Sequence, residues 1–342
     1  PESIEAVLEQ ATPAPDGRLR GSLSEFIEGD LLGGWSYTGV REEDLNDVID
    51  HRDRRELRGQ YVLSAWLNHV DARDANNMDV WVETGDGLGY VRHYVLDAGD
   101  SFGIIWPESH AMSRRLGQSH YLDLEHVLGD LLTLGLLDRG WDASVAPERH
   151  PIFGYYEVER FDPDGWRNGY SNPAYQRRTE RDDAWMARII ARFGLPELRA
   201  VVSAGRFSRP AYSDFLVRVL AGRRERLLER FLTRLSPLSW PEVEGARLCL
   251  EDLAVTSGIR APATRRYRAA DEAGRRLAVE AEGPNVCVGL PDRRPPPGQP
   301  AYLVVDIVAA TPGRETTAPA RLHLYQLASD QYRVVGLERP DA

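Results

Sequence analysis

The apolar positions change period along the chain. Leu57, Tyr61, Val62, Ala65 and Trp66 share one helical face. Asp53 with Glu56 reads as the start of that helix, a carboxylate cap with a Glu three residues on, and the helix is expected to end at Asn68-His69. Met78–Val82 and Tyr90–Leu96 alternate or run apolar around Glu83-Thr84-Gly85-Asp86-Gly87, which predicts a β-hairpin with His93 packing or hydrogen-bonding on a strand face. Tyr121, Leu124, Val127, Leu128, Leu131 and Leu132 mark an amphipathic helix ended by Gly135. Asp182 or Asp183 is the expected cap of a helix carrying Trp185, Ile189, Ile190 and Phe193. Pro196 opens the next helix, with Gly205 past its end, and Pro210 begins a long one running to Leu232. Ahead of all these, Ser3–Gln10 suits one or two helical turns, Thr12–Gly17 a break, and Arg18–Ile27 a strand.

At Ser236–Glu242 the period shifts from 3.6 to 2. Leu248–Leu253, Thr264–Arg268, Leu277–Ala281, Val286–Leu290, Tyr302–Val308, Leu322–Leu327 and Tyr332–Leu337 read as short strands separated by turns. The expected class is α+β: a mainly helical part holding one hairpin, followed by a C-terminal all-β sandwich-like domain. The expected boundaries are 1–17 for an N-terminal segment, 18–237 for the helical part and 238–342 for the β part.

Composition narrows the partners. A formal net charge of −11 argues against nucleic acid, whose backbone needs a basic face, and no apolar run is long enough for a transmembrane segment. All 42 basic residues are arginine, so no phosphate-clamping lysine lies in this chain. Cys249 and Cys287 both fall on expected strands, where they either pair in an oxidising compartment or stay as buried thiols. Position 1 is Pro, and the expectation is that an upstream portion precedes it.

The candidate chemistry lies between Ala65 and Gly103. His69, Asp71, Asn76 and Asp97 fall on two turns flanking the hairpin, so the hairpin would return Asp97 toward Asn76. The order His-x-Asp-x4-Asn, hairpin, Asp-x-Gly resembles the catalytic loop and metal-binding turn of protein-kinase-like folds. Ala98 stands where those folds usually have Phe and Val70 where they have Arg, which places the resemblance nearer the CotH-like spore-coat kinases, the secretory-pathway kinases and the phosphoinositide kinases. His51-Arg52-Asp53 spells the usual kinase triplet but is rejected, because Arg58 rather than Asn follows five residues on. The chain is also similar to predicted exported bacterial proteins carrying RRELRG, AWLNHxD and VRHYxxDxG segments, here Arg54–Gly59, Ala65–Asp71 and Val91–Gly99.

The resemblance implies that 18–237 is a kinase-like C-lobe whose nucleotide-binding lobe precedes residue 1. It implies that Asp71 orients or deprotonates an acceptor, protein or small molecule, and that Asn76 and Asp97 hold Mg²⁺ against ATP. His69 would brace the loop, and Arg73 or Asn77 would contact phosphate or acceptor. The alternative is a pseudokinase or exported interaction protein whose β-domain binds a partner or glycan, with an exported or periplasmic location favoured. A hydrolase acting on glycans through its aromatics and carboxylates is a third reading. No Walker loop, His-Glu-x-x-His or paired-Cys zinc motif is present.

Overall fold

A computed structural model describes residues 4–9, 13, 16–19, 26–106, 109–144, 150–294, 296 and 298–340. The described chain is α+β, with three antiparallel sheets and a β-rich C-terminal part. Two compact units divide it. One is Pro1–Trp35 with Asn77–Val95; the other is Ser36–Asn76 with Leu96–Ala342, so the helical and C-terminal β parts lie in one unit.

The smaller unit holds helix α1 (Ile4–Glu9) and the sheet β1 (Asp30–Gly33), β2 (Asn77–Gly85) and β3 (Leu88–Val95), in the order β1-β2-β3. The β2–β3 turn is Asp86-Gly87 with φ +53° and +71°, the doubly positive pair that a two-residue hairpin turn requires. His93 pairs with Asp79 at 2.5 Å and meets Trp35 edge-on. Much of the strand expected over Arg18–Ile27 falls on residues 20–25, outside the described residues. Its described ends are not in strand, which begins instead at Asp30.

In the larger unit, α2 (Arg55–Leu67) carries Leu57, Tyr61, Val62, Ala65 and Trp66 into the core as the spacing requires. Its cap differs from the expectation. Asp50 caps a separate 3₁₀ turn, His51–Asp53, and Asp53 pairs with Arg177 at 2.8 Å instead of capping α2. Helix α3 (His110–Arg115) is capped by Ser109, whose hydroxyl accepts from Met112 N at 3.2 Å. Helix α4 (Leu124–Leu132) follows, and none of its residues is buried.

Helices α5 (Pro173–Gln176), α6 (Glu180–Ile190), α7 (Leu195–Ala204) and α8 (Pro210–Leu227), the last continued by a π turn (Leu228–Leu232), complete the helical part. For α6, Thr179 is the cap, and Asp182 reaches back to its backbone as the third residue of a capping box. Asp183 faces the interior. The helical core gathers Trp66, Ile190, Leu216, Leu227, Leu228 and Phe231 with aromatics of the irregular segment, Phe153, Tyr156, Phe161 and Trp166.

The C-terminal strands are β4 (Leu238–Glu244), β5 (Arg247–Asp252), β6 (Arg266–Asp271), β7 (Arg276–Leu277), β8 (Val279–Glu282), β9 (Asn285–Gly289), β10 (Ala301–Thr311), β11 (Glu315–Thr316), β12 (Ala320–Ala328) and β13 (Gln331–Glu338). They form one sheet ordered β4-β5-β9-β8 and another ordered β13-β12-β10-β6-β7, with β11 on β10. Alternate residues of both sheets enter one apolar cluster: Leu248, Leu250, Val286 and Val288 from the first, Leu303, Val305, Ile307, Leu322 and Leu324 from the second. The part is not purely β, since a single-turn helix α9 (Leu253–Thr256) follows β5. Cys249 and Cys287, opposite one another on β5 and β9, are joined in a disulfide. Arg260 ties the two parts of the unit together, bonding Glu229 on the π turn and Glu315 on β11.

Candidate functional site

Helix α2 delivers the site, and its C-terminal end is held from three directions. Its last carbonyls lack intrahelical donors and must be satisfied elsewhere. Asn68 turns the chain out of the helix at φ +57°. Buried Arg223 donates to the carbonyls of Ala65 at 2.5 Å and Trp66 at 3.0 Å, and the Tyr156 hydroxyl donates to Trp66 O at 2.7 Å. Burial pushes the Arg223 pKa down to about 10, while carbonyl bonds and the Phe161 face 3.6 Å away stabilise the cation. The Asn68 side chain accepts from Trp166 Nε1 at 3.0 Å, and a Cβ at Gly117 would collide with both groups.

The loop beyond Asn68 is organised by a residue the motif reading did not single out, Asp100. Its carboxylate bonds His69 Nδ1 and accepts the backbone N–H groups of Val70 at 2.5 Å and Asp71 at 3.0 Å. One side chain thus fixes three consecutive residues. With Nδ1 on Asp100, the other ring nitrogen, Nε2, is buried with no hydrogen-bond partner among the described residues. His69 is 4 % exposed, so it braces the loop from inside.

Asn168 makes a second clamp. Its amide accepts from Ala72 N at 3.3 Å and donates to Ala72 O at 2.9 Å, and Gly169 N donates to Val70 O at 2.7 Å. Held this way, Asp71 is half-buried. Its Oδ2 accepts from Asn76 Nδ2 at 2.8 Å, and its Oδ1 lies 2.9 Å from Arg73 Nε. Arg73 also lies over the Tyr170 ring, 4.9 Å from its centroid. Tyr121 meets Tyr170 edge-on, and burial together with the Asp71 charge pushes its phenol up to about 12, so it stays a neutral donor beside the carboxylates.

Asn76 donates its Nδ2 to the Asp71 carbonyl at 2.9 Å as well as to the carboxylate. No donor to its Oδ1 occurs among the described residues. The Asn76 carbonyl accepts from Leu96 N at 2.9 Å, so the chain does come back to this loop one residue before Asp97. Asp97 is exposed at φ +51°, and among the described residues its carboxylate accepts only from its own turn, Gly99 N at 3.4 Å. A non-glycine residue in the left-handed region is uncommon, though Asp tolerates it better than most.

Asn77 stands apart from this set. It is 2 % exposed in the hairpin unit, and its amide is engaged by the Trp35 backbone, accepting from N and donating to O at 2.7 Å each. These two bonds lock it to the Trp35 backbone.

No family model, curated protein or solved structure matches the chain.

The donor set bears on what the site can hold. Among the described residues no three His, Cys, Asp or Glu side chains group closely enough to cage a metal. Asn76 Oδ1 and the Asp97 carboxylate are hard oxygens, however. Such donors suit Mg²⁺, which is held through one or two carboxylates plus waters and phosphates rather than by a full protein cage. The residues missed from sequence are Asp100, Tyr121, Asn168 and Tyr170. For Asp100 a signal existed in its adjacency to Asp97-Ala98-Gly99; for the others none did.

Proposed function

We propose that the Asp71 loop and the Asp97 turn are the acceptor and metal half of a kinase-like phosphotransfer site that uses Mg²⁺ and ATP. The observation that supports this best is the division of labour in Asn76. Its nitrogen is fixed by Asp71, which orients its oxygen, and its backbone carbonyl holds the strand end that carries Asp97. In this reading Asp71 orients the acceptor hydroxyl and takes its proton, and Arg73 shifts from Asp71 toward the transferring phosphate. Asn76 and Asp97 hold the cation, whose bound charge offsets that developing on the phosphoryl oxygens. His69 and Asp100 act only through the loop they fix. The Cys249–Cys287 disulfide supports an exported location, where such bonds persist.

A second reading, a catalytically silent kinase-like scaffold, draws on a different observation. Both Asp71 oxygens are engaged, one by Asn76 and one by Arg73, and the chain has no lysine to hold the phosphates. Thermal unfolding of the chain with Mg²⁺ and ATP together separates the two. The phosphotransfer reading expects a rise in midpoint that Asp97→Ala removes. No rise in either protein supports the silent scaffold.

A further inference from the structure

A cavity of about 470 Å³ lies between the start of α2, helix α6 and the last strands, away from the Asp71 loop. Its wall carries Arg55, Arg181, Arg188, Arg321 and Arg339 against one carboxylate, Glu338. In a chain with a net charge of −11 this is a local reversal of sign.

The five guanidiniums are not all alike in their partners. Arg321 is neutralised by Asp306 through two bonds of 2.9 Å. Arg188 and Arg339 are not neutralised. Arg188 donates to Ser236 O at 2.8 Å, and its Nε is buried without a hydrogen-bond partner among the described residues. Arg339 donates to Ser236 O at 3.1 Å, Leu238 O at 2.6 Å and Ser239 Oγ at 3.1 Å. No carboxylate pairs with either among the described residues. Arg55 joins them at the first turn of α2, where the helix dipole disfavours a cation. Burial holds Arg188 well below the usual guanidinium range, with the nearby charges of Arg339 and Arg55 adding to the effect, and burial alone holds Arg339 down to about 10. Like charges crowded together without counter-ions are costly, and an anion entering the cavity would remove that cost. Trp185 supplies an apolar wall. The volume suits a small organic ligand rather than a lone phosphate ion.

We propose that this cavity is a binding site for a small molecule bearing two or more phosphate or sulfate groups, gripped by Arg55, Arg188 and Arg339. Guanidinium forks match tetrahedral oxyanions in pairs of parallel bonds, which an ammonium cannot do. The site shares no residue with the proposed phosphotransfer loop and stands or falls separately from it.

Titration calorimetry at near-physiological salt, with sodium tripolyphosphate and with a multiply sulfated disaccharide as separate probes, tests this. The expected result is one saturable site for at least one probe, weakened at least about tenfold by Arg188→Met, by Arg339→Met and by Arg55→Gln. Tighter binding of one probe assigns phosphate or sulfate as the ligand's anion. Arg188→Met should also unfold at or above the wild-type temperature without ligand, since it deletes an uncompensated charge, and lose the ligand-induced rise. Arg55 is exposed, so Arg55→Gln decides the matter even where a buried variant fails to fold. Absence of saturable binding for both probes, or binding that these substitutions leave unchanged, overturns the proposal.

Discussion

Asp100 shows how much a single carboxylate can organise. It holds an imidazole and two consecutive backbone N–H groups, so its removal leaves three donors without their acceptor. Asp100→Ala is expected to lower unfolding free energy by about 2–4 kcal/mol, measured by urea denaturation, and Asp100→Asn by less, because its amide oxygen keeps part of the set. Asp183 is a contrasting case. It is 2 % exposed and pairs with Arg178 at 2.7 Å, yet burial outweighs that pairing and pushes its pKa up to about 7 from 3.8. The native state therefore keeps a proton that the unfolded chain releases, and this contribution to stability is lost as pH rises from about 4 to about 7. Asp183→Asn should gain on the wild type across that window by about 1–4 kcal/mol in urea unfolding compared at its two ends; a constant difference would contradict the assignment. Motif spacing drew attention to Asp71, Asn76 and Asp97, and the bonds of Asn76 to Asp71 and to Leu96 N were not part of that pattern. Asp100, by contrast, acts on backbone thirty residues earlier, and Asn168 on a loop some hundred residues earlier. Adjacency to Asp97-Ala98-Gly99 marked the place of Asp100, but spacing shows the partners of neither residue.

At the scale of elements, α2 followed its apolar period, whereas its ends answered to tertiary partners. Asp53 had the right chemistry to cap it, but Arg177, far along the chain, took the carboxylate. The other end depends on Arg223 in α8, which donates to the carbonyls of Ala65, Trp66 and Glu157. Arg223→Ala is expected to cost about 3 kcal/mol or more, read as a lower unfolding midpoint, and to loosen the Asn68–Asp71 turn, read as faster amide exchange there. Helix α4 was legible as amphipathic, but the pattern does not say what an apolar face meets, and here Leu124, Leu128, Leu131 and Leu132 are all exposed. The alternating C-terminal strands were read closely because period 2 survives wherever one face is buried. The disulfide was left open, since two cysteines on strands pair only if those strands are neighbours in register. Replacing Cys249 and Cys287 together by Ser should cost about 2–4 kcal/mol, measured against the oxidised wild type in denaturant; equal stability would mean that the bond does not form.

On the scale of the whole molecule, the site draws on distant segments of one compact unit: the end of α2, the turn after the hairpin, the Asn168 segment and α8 behind them. The two C-terminal sheets belong to that same unit through Arg260, with Glu229 and Glu315 holding its guanidinium protonated far above any accessible pH. The central claim is that Asn76 and Asp97 share one divalent cation. Mn²⁺ is a paramagnetic stand-in for Mg²⁺, and its solution resonance signal disappears on binding. Titrated into this chain without nucleotide, Mn²⁺ should fill one saturable site that Asp97→Ala and Asn76→Ala each weaken at least about tenfold, while Asn77→Ala leaves it unchanged. Mn²⁺ that stays free, or is bound equally by all four proteins, would contradict the account.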